Sequence, residues 1–172
     1  MGSIVIRSAE IIDSTSDLNG AIRSILIEDG IIKKITEKEL SAETIIEGKG
    51  LKVSLGWMDM RVTTGDPGHE YKEDLHSACN AAMQGGFTAI VVLPNTHPPM
   101  QTKESVEYIK SKTRDKLVDV YPVASLTINN KGEELTEILD MNASGAIAFS
   151  DGVKPIWHSD LLLRALLYMQ PI

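Results

Sequence analysis

The chain has 172 residues, 42% hydrophobic and 24% charged, which suits one globular domain or a small domain plus part of another. A formal net charge of −7 and a pI near 5.1 argue against nucleic-acid and anionic-membrane partners, both of which want a basic face. The lone cysteine, Cys79, excludes an internal disulfide framework; with no signal-type N-terminus and no apolar run approaching the roughly 18–20 residues of a membrane span, the expected location is the cytoplasm.

In chain order, residues 3–7, 24–28 and 31–35 are β-branched runs separated by turn signals. Asn19-Gly20 and Asp29-Gly30 mark hairpins, because such pairs accept the positive φ of a type I′ turn. Ile45-Ile46 followed by residues 48–53 reads as one more hairpin. Residues 1–55 therefore form a small β module without a helix. From Gly56 the period changes. Residues 57–62 read as a strand and 70–84 as a helix stopped by Gly85-Gly86. Residues 87–93 are a continuous apolar run, the pattern of a strand buried on both faces. A helix over 103–112, a strand over 118–124, a helix over 133–141, a strand over 146–150 and a Leu-rich helix over 159–169 follow, the last capped by Ser159 or Asp160. Strand–helix repeated four times predicts βα units on a parallel sheet. The pattern allows a complete open sheet or the first half of an eight-unit barrel.

The segment Gly56-Trp57-Met58-Asp59-Met60-Arg61-Val62-Thr63-Thr64-Gly65-Asp66-Pro67-Gly68 resembles the opening motif of dihydroorotases, Gly-x-x-Asp-x-His-x-His followed by Phe-Arg-Glu-Pro-Gly. The likeness continues through Glu70-Tyr71-Lys72-Glu73-Asp74, Gly85-Gly86-Phe87-Thr88 and Leu93-Pro94-Asn95-Thr96-His97-Pro98. It resumes at residues 145–152, where Phe149-Ser150-Asp151-Gly152 is similar to the Phe-Ser-Asp-Asp-Gly of the zinc dihydroorotases of multienzyme assemblies. The resemblance implies an α/β fold: a small β-sandwich module over residues 1–55, normally completed by C-terminal strands, and the first four βα units of a TIM-type (β/α)8 barrel over 56–172. It also implies truncation, the chain stopping before a fifth strand. Such a half barrel exposes two sheet edges and is expected to associate, with another copy or with a missing C-terminal half.

In active members, one or two Zn²⁺ ions ionise water and polarise the amide carbonyl of the dihydroorotate ring. The two first-strand histidine positions here are Arg61 and Thr63. Arginine keeps its proton and repels a dication, and a lone threonine hydroxyl is a poor zinc ligand. The arginine that holds the substrate carboxylate is Gly65, and the motif glutamate is Asp66. Asn95 matches a substrate-binding asparagine and Asp151 a metal-ligand aspartate, while the second aspartate is Gly152. No metal is therefore expected. Asp59, Arg61 and Thr63 should share a strand face, which predicts an internal ion pair of Arg61 with Asp59 or Asp151 in place of the metal; the alternative is that Arg61 binds an anion. Of the four histidines, His97 lies at the site end, His76 on a helix, and His69 and His158 are expected in solvent; Lys72-Glu73-Asp74 is given no catalytic part.

The expected function is a catalytically inactive dihydroorotase-like protein of pyrimidine biosynthesis. Its expected partner is aspartate transcarbamoylase, which inactive dihydroorotase-like chains are known to support. The alternative is an active dihydroorotase, or another cyclic amidohydrolase, with an altered metal site. Homo-oligomerisation is expected as well.

Overall fold

A computed structural model describes residues 2–172. The chain divides into two compact units, one ending at Leu55 and one running from Gly56 to Ile172.

The first unit is a five-stranded sheet built on one long strand, β1 (Ser3–Ile12). One edge of β1 pairs antiparallel with β2 (Ile22–Glu28), which continues through the Asp29-Gly30 turn into β3 (Ile31–Thr36). Both turn residues have positive φ, 52° and 77°. Val5, Ala9, Ile11 and Ile25 are buried, and Ile31, Ile32, Ile45 and Ile46 are exposed. The hairpin expected over residues 45–53 does not form. β4 (Thr44–Ile46) and β5 (Lys52–Ser54) each run parallel to β1, against Ile4–Ile6 and Glu10–Ile12 respectively. Ten residues of β1, interrupted by a register shift where Ser8 has φ 50°, offer two successive lengths of edge that capture the two short strands separately.

The second unit is a curled parallel sheet in the order β6 (Trp57–Val62), β7 (Phe87–Val92), β8 (Asp119–Ala124), β9 (Ala148–Phe149). Helices α1 (Leu75–Gln84), α2 (Lys103–Thr113) and α3 (Ile138–Ala143) connect the strands, and α4 (Ser159–Tyr168) follows β9. Strand order equals chain order, the arrangement of the first half of a barrel. Leu75, Ile90, Val92, Val106, Ile109 and Met141 form the centre of the core between sheet and helices.

Two helix starts and one helix cap differ from the sequence expectation. α1 begins at Leu75 rather than residue 70, with Asp74 as N-cap accepting from the Ser77 N–H at 2.7 Å. The preceding residues are committed to the loop after β6, where the Gly65 N–H donates to the Glu73 carbonyl at 2.7 Å and the Lys72 N–H to that of His69. α3 begins at Ile138 rather than residue 133, because Leu135 bridges to Thr127 and the Thr136 hydroxyl donates to the Ser125 carbonyl at 2.7 Å. Neither Ser159 nor Asp160 caps α4: His158 is its N-cap, without a side-chain bond, and Asp160 pairs with Arg164. By contrast α2 has a complete capping box, Thr102 with Ser105. No helix is long and apolar enough to cross a membrane.

Candidate functional site

The parallel sheet directs the loops after β6, β7, β8 and β9 to one end, the end where such sheets carry their sites. Arg61 and Thr63 are exposed there. Arg61 does not share a face with Asp59, whereas Thr63 lines the same cavity as Asp59. Between the pairs Asp59–Ile90 and Val62–Val92, two residues of β6 meet one of β7, so a bulge shifts the alternation. Asp59 and Val62 thereby stand opposite two residues of the core beneath the helices. With Thr63 they line a cavity of about 250 Å³ against Ala78 and Ala82 of α1.

The expected ion pair is a correction for the same reason. Arg61 forms no ion pair among the described residues; its backbone N–H donates to Asp59 Oδ1 at 2.9 Å. Asp151, 2% exposed, has both carboxylate oxygens taken by one residue, Oδ1 by the Thr127 N–H at 2.8 Å and Oδ2 by the Thr127 hydroxyl. The Thr127 hydroxyl itself accepts the Gly132 N–H at 2.8 Å. Asn95 is also committed: Nδ2 donates to the Asp151 carbonyl at 3.2 Å and Oδ1 accepts the Val153 N–H at 3.3 Å. Thr127→Val should leave a buried carboxylate oxygen unpaired and lower stability by about 1–3 kcal/mol; a melt within about 0.3 kcal/mol of the parent would contradict this network.

Two altered positions show a further feature that sequence reading missed. A Cβ at Gly65 would lie 2.0 Å from the His69 carbonyl oxygen, and one at Gly152 would lie 1.8 Å from Asn95 Oδ1. Gly152 also has φ 66°, a conformation that disfavours a side chain. The loops have closed into the space that an arginine at 65 and an aspartate at 152 would need.

The motif-glutamate position proves to be a structural hub. Asp66 is fully buried; its Oδ1 accepts the Tyr108 hydroxyl at 2.7 Å, and its Oδ2 accepts Lys112 Nζ at 2.7 Å and the Leu75 N–H at 3.2 Å. Burial pushes this carboxyl up, but the Lys112 ammonium, the Tyr108 hydroxyl and the Leu75 N–H together hold it below the usual carboxylate range. Lys112 is raised by its own hydrogen bonds, donated to Asp66 and to the Tyr108 hydroxyl oxygen at 2.7 Å. Tyr108 and Lys112, at i and i+4, occupy one face of α2, a spacing visible in sequence. Their partner more than forty residues away is not.

Of the histidines, His76 is exposed on α1 and touches Lys116, and His158 is exposed. His69, expected in solvent, is half-buried and stacks on His97. Cys79 is buried within the core, which pushes its thiol up. Among the described residues no group of three or more His, Cys, Asp or Glu is arranged to hold a metal ion.

The family model described as "Dihydro-orotase-like" matches residues 51–166. The chain belongs to the dihydroorotase-like family. It is 41% identical over 167 residues to a dihydroorotase of Acetivibrio thermocellus, and 38% identical over 168 residues to one of Aquifex aeolicus. These alignments take in 96% of this chain but 39% and 40% of the relatives, so the chain spans about two-fifths of their length. Among solved structures, the L-hydantoinase (dihydropyrimidinase) of Arthrobacter aurescens matches with TM-score 0.69 at 24% identity, over 87% of this chain and 32% of that one. A dihydroorotase structure matches with TM-score 0.60 at 13% identity, over 87% and 42%. These two likenesses establish the fold, part of a βα barrel. The dihydroorotase family is typically metal-dependent, but the donors present here do not fit a metal ion at the family's first-strand site: a cation and a hydroxyl stand at 61 and 63, and Asp151 is capped by Thr127.

Proposed function

We propose that this protein is a non-catalytic member of the dihydroorotase-like family that serves as a structural partner of aspartate transcarbamoylase in pyrimidine biosynthesis. The observation that carries the loss of catalysis is steric as well as chemical. Arg61 and Thr63 replace imidazoles, and the two glycines at substrate- and metal-binding positions, Gly65 and Gly152, are packed against His69 and Asn95 with no room for a Cβ. The remaining site-type residues, Asn95 and Asp151, are bonded to the protein itself. Intact packing beside altered chemistry supports a scaffold role, and membership of a pyrimidine-pathway enzyme family supports the choice of partner. Self-association belongs to the same reading.

Three measurements test it. Dihydroorotate hydrolysis by the purified chain should not exceed the rate without protein, and Arg61→His with Thr63→His should not restore it. Co-expression with the cognate transcarbamoylase should yield a complex, and light scattering should show an assembly larger than one chain. Turnover above background would favour an active cyclic amidohydrolase with an altered metal site. Full transcarbamoylase activity without any complex would overturn the scaffold role.

A further inference from the structure

The loops after β6 and β7 bring two histidines together away from the family's strand positions. The rings of His69 and His97 stack with centroids 5.7 Å apart and planes 25° apart. Neither imidazole hydrogen-bonds to any described residue, so all four ring nitrogens are free of protein partners. His97 is exposed and His69 half-buried, which leaves the pair open to solvent on one side.

Their backbones are held closely. The His97 N–H donates to the Pro67 carbonyl at 2.9 Å, and the two loops meet so tightly that a Cβ at Gly68 would lie 2.0 Å from the His97 carbonyl oxygen. The Gly68 N–H donates to Glu70 Oε1 at 2.9 Å, keeping a carboxylate on the same loop. That bond holds the Glu70 carboxyl below its ordinary range, so the local negative charge persists at neutral pH. The opposing cation, Lys72, lies over the Tyr71 ring, 5.7 Å from its centroid.

We propose that His69 and His97 form a two-histidine site for a borderline divalent transition metal such as Zn²⁺, open to water or a further donor, and distinct from the family's metal positions at 61 and 63. Two imidazoles on one tetrahedral ion, each at a metal–nitrogen distance of about 2.0–2.1 Å, place their ring centres roughly 5 Å apart. The observed separation is within an ångström of that, and no hydrogen bond to a described residue fixes the orientation of either ring. Imidazole nitrogen suits zinc and its neighbours, whereas the oxygen-preferring Mg²⁺ and Ca²⁺ should not bind. Stacked rings would otherwise be a packing contact only.

Calorimetric titration of the whole chain with zinc chloride should give one ion per chain. His69→Gln and His97→Gln should each weaken binding about tenfold or more, and the double variant should abolish it, with His76→Gln and His158→Gln unchanged. Circular dichroism checks that the variants fold. In the unmodified chain, zinc should shift the imidazole NMR signals of His69 and His97 and spare those of His76 and His158, a result independent of any substitution. No zinc uptake, uptake insensitive to both substitutions, or signal shifts at His76 or His158 instead would overturn the site.

Discussion

Replacing Lys112 by methionine is expected to lower the stability of the unit from Gly56 to Ile172 by about 3 kcal/mol, read from urea unfolding followed by circular dichroism. Asp66 is 0% exposed at its side chain, so a carboxylate that loses its cation there cannot recover water. Breaking a buried pair typically costs roughly 3–5 kcal/mol, and no more than the lower end applies, because the Lys112 side chain is itself 42% exposed and screened by water while the Tyr108 hydroxyl and Leu75 N–H still donate. Methionine keeps the packing of the stem and removes the charge together with its hydrogen bonds to Asp66 and the Tyr108 hydroxyl. The ion pair fastens the loop after β6 and the start of α1 to α2, so its loss should also loosen the end of the sheet where the site-type residues lie.

The same carboxylate sets a pH dependence. Its folded pKa lies below the unfolded value of about 3.9, so it binds fewer protons when folded. Its stabilisation is present above that unfolded value and is lost as pH falls through the lower folded value. Lys112, raised by the pair, contributes in the opposite sense: its share is present below about 10.4 and declines as pH rises towards its folded value. Asp66→Asn should therefore flatten the acid limb that begins as pH falls below about 4. Equal acid profiles for the two proteins would show that Asp66 does not govern that limb.

Gly65→Ala is expected to cost about 3 kcal/mol, at the top of the overpacking range, although it adds one methyl group. That methyl would lie 2.0 Å from the His69 carbonyl oxygen and 3.1 Å from that of Glu73, both backbone atoms that move only if the loop moves. Movement would also weaken the bond from the Gly65 N–H to the Glu73 carbonyl. Gly65→Arg, which restores the residue type of the family, should be at least as destabilising and should not create a carboxylate-binding group. Gly48→Ala is the control: nothing lies within 4 Å of the added Cβ, and the change should be nearly neutral. If Gly65→Ala unfolds at the same urea concentration as the parent, the loop is not closed on Gly65 and the steric support for lost catalysis disappears.

Much of this protein was legible from residue order. The alternation of apolar β-branched runs with amphipathic helices located β6 to β9 and their helices to within a few residues, because period and turn chemistry are local properties. The replacement of imidazoles at 61 and 63 needed no structure either: arginine and threonine cannot do what histidine does at a zinc ion. The errors share one cause, competition between local signals and distant partners. Residues 133–137 carry helix-forming glutamates, yet Leu135 and Thr136 are drawn to the segment after β8. Residues 45–53 carry hairpin signals, yet both short strands find a better edge on β1.

What only the tertiary structure decided is how the altered positions are used. The bulge in β6 turns Asp59 away from Arg61, a one-residue slip in pairing that no strand pattern announces. Thr127 caps Asp151 from 24 residues away, and Asp66 draws Tyr108 and Lys112 across more than forty. Read as sequence, Gly65 and Gly152 are missing side chains; in the folded chain they are places where backbone and Asn95 fill the volume. Sequence determines which chemistry a chain carries, because that resides in single residues. Whether the space for a site is still open depends on contacts between residues far apart in order, and those are settled only when the chain packs.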